Sequence, residues 1–172
     1  ATALGVLAGL PSVVVGLAAL LVVVPAIRSV APPGLSVLAA VITLAAMVLP
    51  TLAIGADAAF AQVDRGPVAA AHALGLAPVD VARGVLLPLA APGLRAVGVV
   101  ALARALGETM ALLMVAGNTV AWPTSPFVSF RTLTGGLAME MAYAGSLHRA
   151  ALFVAGLLLL GLVSAVALGA RR

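Results

Sequence analysis

Cysteine and lysine are both missing from this 172-residue chain, and charge of either sign is scarce. Without cysteine there are no disulfides, no thiolate metal ligands and no thiol nucleophile. Without lysine there is no glycine-rich phosphate loop of the GxxxxGK[ST] kind in this sequence. Aromatic residues make up 3% of the chain and charged residues 8%, against 64% hydrophobic. That composition cannot coat a water-exposed surface, so the solvent is lipid. All nine cations are arginine, facing five acids, and no basic run is interleaved with aromatics, which excludes the usual nucleic-acid footprint. Catalytic patterns are equally thin. Ser146 and His148 lie two apart, Asp57 stands alone, and neither GxSxG nor HExxH occurs. His72 and His148 have no metal-ligand spacing and no nearby acid in sequence, so neither a metal nor a cofactor is expected.

What is abundant is uninterrupted apolar sequence. Uncharged stretches run over Ala1–Ile27, Ser29–Ala56, Thr109–Phe130 and Ala150–Ala170, each at or above the roughly 20 residues that an apolar helix needs to cross a bilayer. This predicts an all-α, polytopic transmembrane bundle with four crossings, near Pro11–Ile27, Leu35–Phe60, Leu87–Gly117 and Arg149–Leu168. Gly5-x-x-x-Gly9 suggests a close helix contact, followed by a break at Leu10-Pro11. Pro50 should bend the second crossing, and Pro32-Pro33-Gly34 should make a tight turn. The first stretch lacks the basic start and cleavage site of a secretory signal, and the chain does not begin with Met.

Between the second and third crossings lies PVAAAHALGLAPVDVARGVLLPLAAP, from Pro67 to Pro92. Ala69, Ala70, Ala71 and Ala73 favour a helix that lets a partner surface come close. Gly75 can take the left-handed turn that ends it. Pro78 suits the first turn of a second helix, with Asp80 where the positive helix end favours an acid. In the third crossing, Arg104 and Glu108 interrupt an apolar run four residues apart, a spacing that puts them on one face of a continuous helix. Counting about 1.5 Å per residue from Ala90 sets Arg104 some 20 Å along, near mid-bilayer. A bare charge there costs at least about 2.5 kcal/mol, so both groups should face the protein interior or a wet cavity. Beyond this, Asn118–His148 carries Trp122, Phe127, Phe130 and Tyr143, rings suited to a membrane surface. Its Thr132–Ala144 part should form a short helix on that surface.

Several of these segments carry a family resemblance. Gly75, nine residues, then Val85-Leu86-Leu87-Pro88 resembles the EAA loop of import-type ABC transporter permeases, in which a Glu-Ala-Ala run leads to Gly, nine residues and Ile-x-Leu-Pro. Ala69 stands where that family has Glu, so the match rests on the alanine run, Gly75 and Leu87-Pro88. AGLPSVVVGL (Ala8 to Leu17), RALGETMALLMVAGNT (Arg104 to Thr119) and LTGGLAMEMAYAGSLHRAALF (Leu133 to Phe153) resemble segments of phosphate permeases of the PstC/PstA type, PstC more than PstA, so the similarity covers nearly the whole chain.

The resemblance implies a type I, MetI-like ABC importer permease of the bacterial inner membrane, with residues 1–172 as the C-terminal part of a longer subunit and one or two helices ahead of the first seen here. It implies a cytoplasmic coupling loop over 64–88, with Ala69, Ala70, Ala71, Gly75, Val85, Leu87 and Pro88 meeting an ABC ATPase, and an external loop over 118–148 facing a phosphate-binding protein. With that sidedness Arg65, Arg83, Arg95, Arg171 and Arg172 lie inside and Arg28, Arg131 and Arg149 outside, a small margin in the direction of the positive-inside rule. A second homologous permease subunit and membrane lipid complete the expected partners.

Arg104, Glu108 and Thr109 are then candidates for the translocation path or its gate. One reading has Arg104 held by Glu108, or by an acid of the partner subunit, and lent to phosphate when the helices rearrange. The other makes Arg104 and Glu108 a permanent ion pair that fixes helix packing. Import of sulfate or molybdate by the same fold, a non-transporting scaffold and, distantly, an intramembrane hydrolase are the alternatives.

Overall fold

The computed structural model describes residues 2–169. Nine α-helices follow one another among these residues: α1 (Thr2–Gly9), α2 (Ser12–Arg28), α3 (Val37–Ala61), α4 (Arg65–Ala73), α5 (Pro78–Val81), α6 (Leu87–Gly107), α7 (Met110–Val115), α8 (Leu133–Glu140) and α9 (Ser146–Gly169). A π-helical turn over Ala82–Leu86 joins α5 to α6 without a break, so Pro78–Gly107 runs as one 30-residue apolar rod. Three helices are long and apolar enough to cross a membrane: Val37–Ala61, Pro78–Gly107 and Ser146–Gly169. A fourth, α2, has 17 residues, about 25 Å of helix and the lower end of what spans a bilayer. The all-α multi-pass architecture is therefore present.

The third predicted crossing needs correction. It does not run from Leu87 to Gly117 as one helix. α6 stops at Gly107, and Glu108 adopts an extended backbone (φ −67°, ψ 128°) before the six-residue α7 begins. The reason is local chemistry. One carboxylate oxygen of Glu108 accepts the backbone N–H of both Thr109 and Ala111 at 3.1 Å, capping a new helix start that a continuous helix would not have. α7 then packs against α2 and α3. There it helps close a core of Ala19, Val24, Ile27, Ala39, Ala40, Leu112 and Val115.

The close helix contact also falls elsewhere than expected. A methyl group added at Gly5 or Gly9 would meet nothing within 4 Å, whereas one at Gly16 would sit 2.7 Å from the Ala111 Cα. Gly16 is what lets α7 approach α2. The α1–α2 break at Leu10-Pro11 is present, and α3 continues through Pro50, which is buried.

The bundle has two distinct ends. At one, Ser36 caps α3 by accepting the Ala39 N–H at 3.2 Å, and the strap after α7 is tied to the same point. Val37 N–H donates to Val128 O, Leu38 N–H to Pro126 O, and Phe130 N–H to Ala116 O. At the other end α3 finishes, α4 and α5 turn, and α6 begins. α3 and α6 run antiparallel between the ends with small residues at their seam. A Cβ on Gly55 would lie 2.5 Å from Val97, and one on Gly93 would lie 2.9 Å from the Ala59 Cβ.

Candidate functional site

The residues singled out in the sequence fall in two places, one inside the bundle and one at its α4–α5 end.

The α4–α5 unit is built as a helix-turn-helix. Asp64 caps α4 by accepting the Gly66 N–H at 3.1 Å. Past the C-cap residue Leu74, the chain turns away from α4 at Gly75, whose φ of +78° is the left-handed conformation that glycine adopts without penalty. Pro78 opens α5 and Asp80 lies in its first turn, as the sequence predicted. α4 packs on α5 and on the π turn, and Ala71 and Val81 are the buried residues of this unit. Ala69, Ala70 and Gly75 are exposed, Val85 is half-buried in the π turn, and Leu87 and Pro88 are exposed at the start of α6. Around Gly75 the tip presents Leu74 at 83% exposure, Val79 at 58% and Leu76 at 44%. The tip is thus apolar and exposed on a capped helical element.

Inside the bundle, the structure does not bring Arg104 and Glu108 together. The ion pairs among the described residues are Arg131–Glu140 and His148–Glu140. Arg104, in the last turn of α6, instead donates from Nη1 to the hydroxyl of Thr51 on α3 at 3.2 Å. Glu108 faces the start of α7, where its carboxylate is taken up by backbone N–H groups. The Thr109 hydroxyl donates to Gly107 O at 3.2 Å. The expectation of a shared helical face failed because it assumed an unbroken helix, and the break turns Glu108 away from the face that carries Arg104. Thr51 was not foreseen. A threonine in an apolar run, like Thr43 in the same helix, gives no signal until α3 is packed on α6.

The Glu108 region is also where α8 begins. The Thr134 hydroxyl donates to the main-chain carbonyl of Glu108 at 2.9 Å, and the Thr132 hydroxyl caps α8 by accepting the Gly135 N–H at 3.0 Å. A cleft of about 320 Å³ is lined here by Glu108, Leu112, Thr134, Leu159 and Leu162. The short helix expected in Thr132–Ala144 exists as Leu133–Glu140 and packs against α9. Leu137 lies against Gly156, while Glu140 meets His148.

That last contact corrects the expectation that His148 has no acid nearby. Glu140 accepts from Arg131 Nη1 on one oxygen and pairs with His148 Nε2 at 2.8 Å on the other. Arg131 Nε also donates to Asn118 O at 3.1 Å. The cluster ties the strap, α8 and α9 together and borders a groove of about 590 Å³ that includes Trp122 and Leu152. The bonds from His148 and then Arg131 hold the Glu140 carboxyl below the usual carboxylate range. A group with a lowered folded-state value stabilises the fold above the ordinary carboxylate range, and that contribution is lost as pH falls through the lowered value. Acidification below that range should therefore loosen α8. In Glu140→Gln the Leu133–Glu140 amides should exchange faster at neutral pH, and their acid-dependent step should vanish. Hydrogen exchange followed across pH checks both outcomes.

Comparisons with known proteins agree with this architecture. A family model described as "Binding-protein-dependent transport system inner membrane component" matches residues 4–172. The probable ABC transporter permease protein YqgH of Bacillus subtilis is 40% identical over 159 residues, 90% of this chain and 51% of that protein. The phosphate transport system permease protein PstC of Haemophilus influenzae is 34% identical over 126 residues, 73% of this chain and 40% of that protein. PstA 2 of Mycobacterium bovis, also a phosphate transport system permease protein, is 36% identical over 124 residues, 72% and 38% respectively. The chain thus spans about half the length, or less, of these relatives. No solved structure matches it. With nearly its full length matched by the family model, and with helices fit to cross a membrane several times, this chain belongs to the family of binding-protein-dependent transport system inner membrane components.

Proposed function

We propose that this chain is the membrane-spanning part of an ATP-driven importer of inorganic phosphate in the bacterial cytoplasmic membrane. The observation that carries the reading is the α4–α5 unit, a capped helix-turn-helix with Leu74, Leu76 and Val79 exposed at its tip. Such a unit transmits the closing of an ATPase as a push, because a packed helix pair moves as a body where a loop would only deform. It joins α3 to α6, so a displacement at the tip acts on both long helices at once. Phosphate as the cargo is favoured by the similarity to PstC and PstA 2 and by an intramembrane guanidinium with no carboxylate paired to it among the described residues. A guanidinium fork matches the oxygens of a phosphate with paired hydrogen bonds.

In this mechanism the binding protein delivers phosphate at the end of the bundle formed by the 118–148 segment. ATP-driven closure then moves α4 and α5, and the bundle, paired with a homologous subunit, exchanges access from one side to the other. Arg104 is the contact offered to the anion on the way. Glu108 and Thr109 serve the path indirectly, by breaking the helix and starting α7.

The test is co-expression of the full-length subunit with its ATPase, its companion permease and the binding protein, followed by phosphate-stimulated ATP hydrolysis in proteoliposomes. Leu74→Asp at the exposed tip should abolish co-purification of the ATPase while the permease still inserts. Retention of a fully stimulated ATPase by that variant would remove the coupling role. Competition of uptake by sulfate or molybdate at equal concentration would reassign the cargo.

A further inference from the structure

The partner of Arg104 is a neutral hydroxyl, and that choice has a consequence for how the cation is used. Thr51 Oγ1 accepts one N–H of the guanidinium at 3.2 Å across the α3–α6 seam. A guanidinium has five donors in a planar fork, so one such bond orients the group and leaves the other donors available. A carboxylate in the same place would take two donors and cancel the charge, and so remove the attraction for an anion. The nearest acid in sequence, Glu108, is committed to the backbone of α7. Elsewhere the seam is made by close apolar contacts such as Gly55 with Val97 and Gly93 with Ala59. The bond to Thr51 is therefore the side-chain hydrogen bond that crosses it among the described residues.

We propose that Thr51 is the positioning residue for Arg104. Its hydroxyl holds the guanidinium at the α3–α6 seam, charged and with most of its fork free, as the contact for a tetrahedral oxyanion. The inference rests on the reading of Arg104 as the anion contact and adds the residue through which α3 sets its orientation. An arginine side chain carries about 2 kcal/mol of rotamer freedom. A fixed hydroxyl removes part of that freedom before the anion arrives rather than at the moment of contact.

The experiment is phosphate uptake by the complete transporter in proteoliposomes, normalised to assembled complex, for Thr51→Val, Thr51→Ser, Arg104→Lys and the double variant Thr51→Val/Arg104→Lys. Thr51→Val keeps the shape and deletes the acceptor, and should lower uptake about tenfold, the loss of one hydrogen bond to a charged group. Thr51→Ser should recover to within about twofold. The double variant should be no worse than Arg104→Lys alone, because both changes act through one group. Losses that multiply in the double variant would make Thr51 a packing residue and overturn the proposal. Wild-type uptake by Thr51→Val with Arg104→Lys impaired would overturn it while leaving the role of Arg104 standing. Wild-type uptake by Arg104→Lys and by Arg104→Gln alike would remove both. If Thr51→Val does not assemble, Thr51→Ala against Thr51→Ser decides, and equal uptake by the two overturns the proposal.

Discussion

Replacing Arg104 by Gln is expected to cut phosphate uptake by about a hundredfold or more while the subunit still inserts and assembles. The magnitude follows from the loss of two charge-assisted hydrogen bonds to an oxyanion, each worth about 1.5–3 kcal/mol, with about 1.4 kcal/mol per tenfold in rate. Assembly should survive because Arg104 pairs with no acid among the described residues, so its removal strands no opposite charge. Among the described residues the side-chain bond lost is the one to the Thr51 hydroxyl. Arg104→Lys separates charge from geometry. An ammonium restores the charge but not the planar fork, and we expect it to remain impaired. Full recovery by Lys would reduce the requirement to charge alone, and wild-type uptake by Gln would remove Arg104 from the path.

Gly16→Val is expected to have the largest effect on the fold. The added Cβ would lie 2.7 Å from the Ala111 Cα and 3.0 Å from the Met114 sulfur. The first of these is backbone and cannot rotate away, and Ala111 is fully buried. Forcing extra carbon into such a seam costs about 1–3 kcal/mol for modest overpacking, and the branched side chain of valine sits at the upper end or above. α7 has six residues, too few to hold helical form without its packing, so it should be displaced from α2. The expected result is a thermal midpoint in detergent lowered by several degrees or more and faster exchange in the Met110–Val115 amides. Gly5→Ala is the control, since a methyl there meets nothing within 4 Å. Equal stability of the Gly16 and Gly5 variants would show that α2 and α7 are not pressed together.

The reach of the sequence differs from segment to segment. Spans near Leu35–Phe60 and Arg149–Leu168 correspond to α3 and α9 within a few residues, because a long apolar run in lipid has helix as its available solution. The α4–α5 turn was legible for a local reason: Gly75, Pro78 and Asp80 each act within one turn of their own backbone. The Arg104–Glu108 pair was misjudged for a reason equally local in origin. Glu108 has two competing uses, an ion pair one turn back or a cap on the helix ahead. Helical spacing describes the first and says nothing of the second. His148 and Glu140 lie eight residues apart with a turn between them, so their meeting depended on α8 folding back along α9.

Composition and apolar run length alone determined that this is a multi-helix membrane chain, and short-range backbone chemistry determined where the turn at Gly75 falls. These depend on interactions within a few residues or on the surrounding solvent, both of which the order of residues specifies directly. Tertiary structure decided which hydroxyl Arg104 bonds, where α7 breaks away from α6, and that Gly16 rather than Gly5 or Gly9 is the point of closest approach. Those outcomes depend on which helix faces meet, and in a chain where most faces are equally apolar the choice is made by packing and by the few polar groups that must find partners.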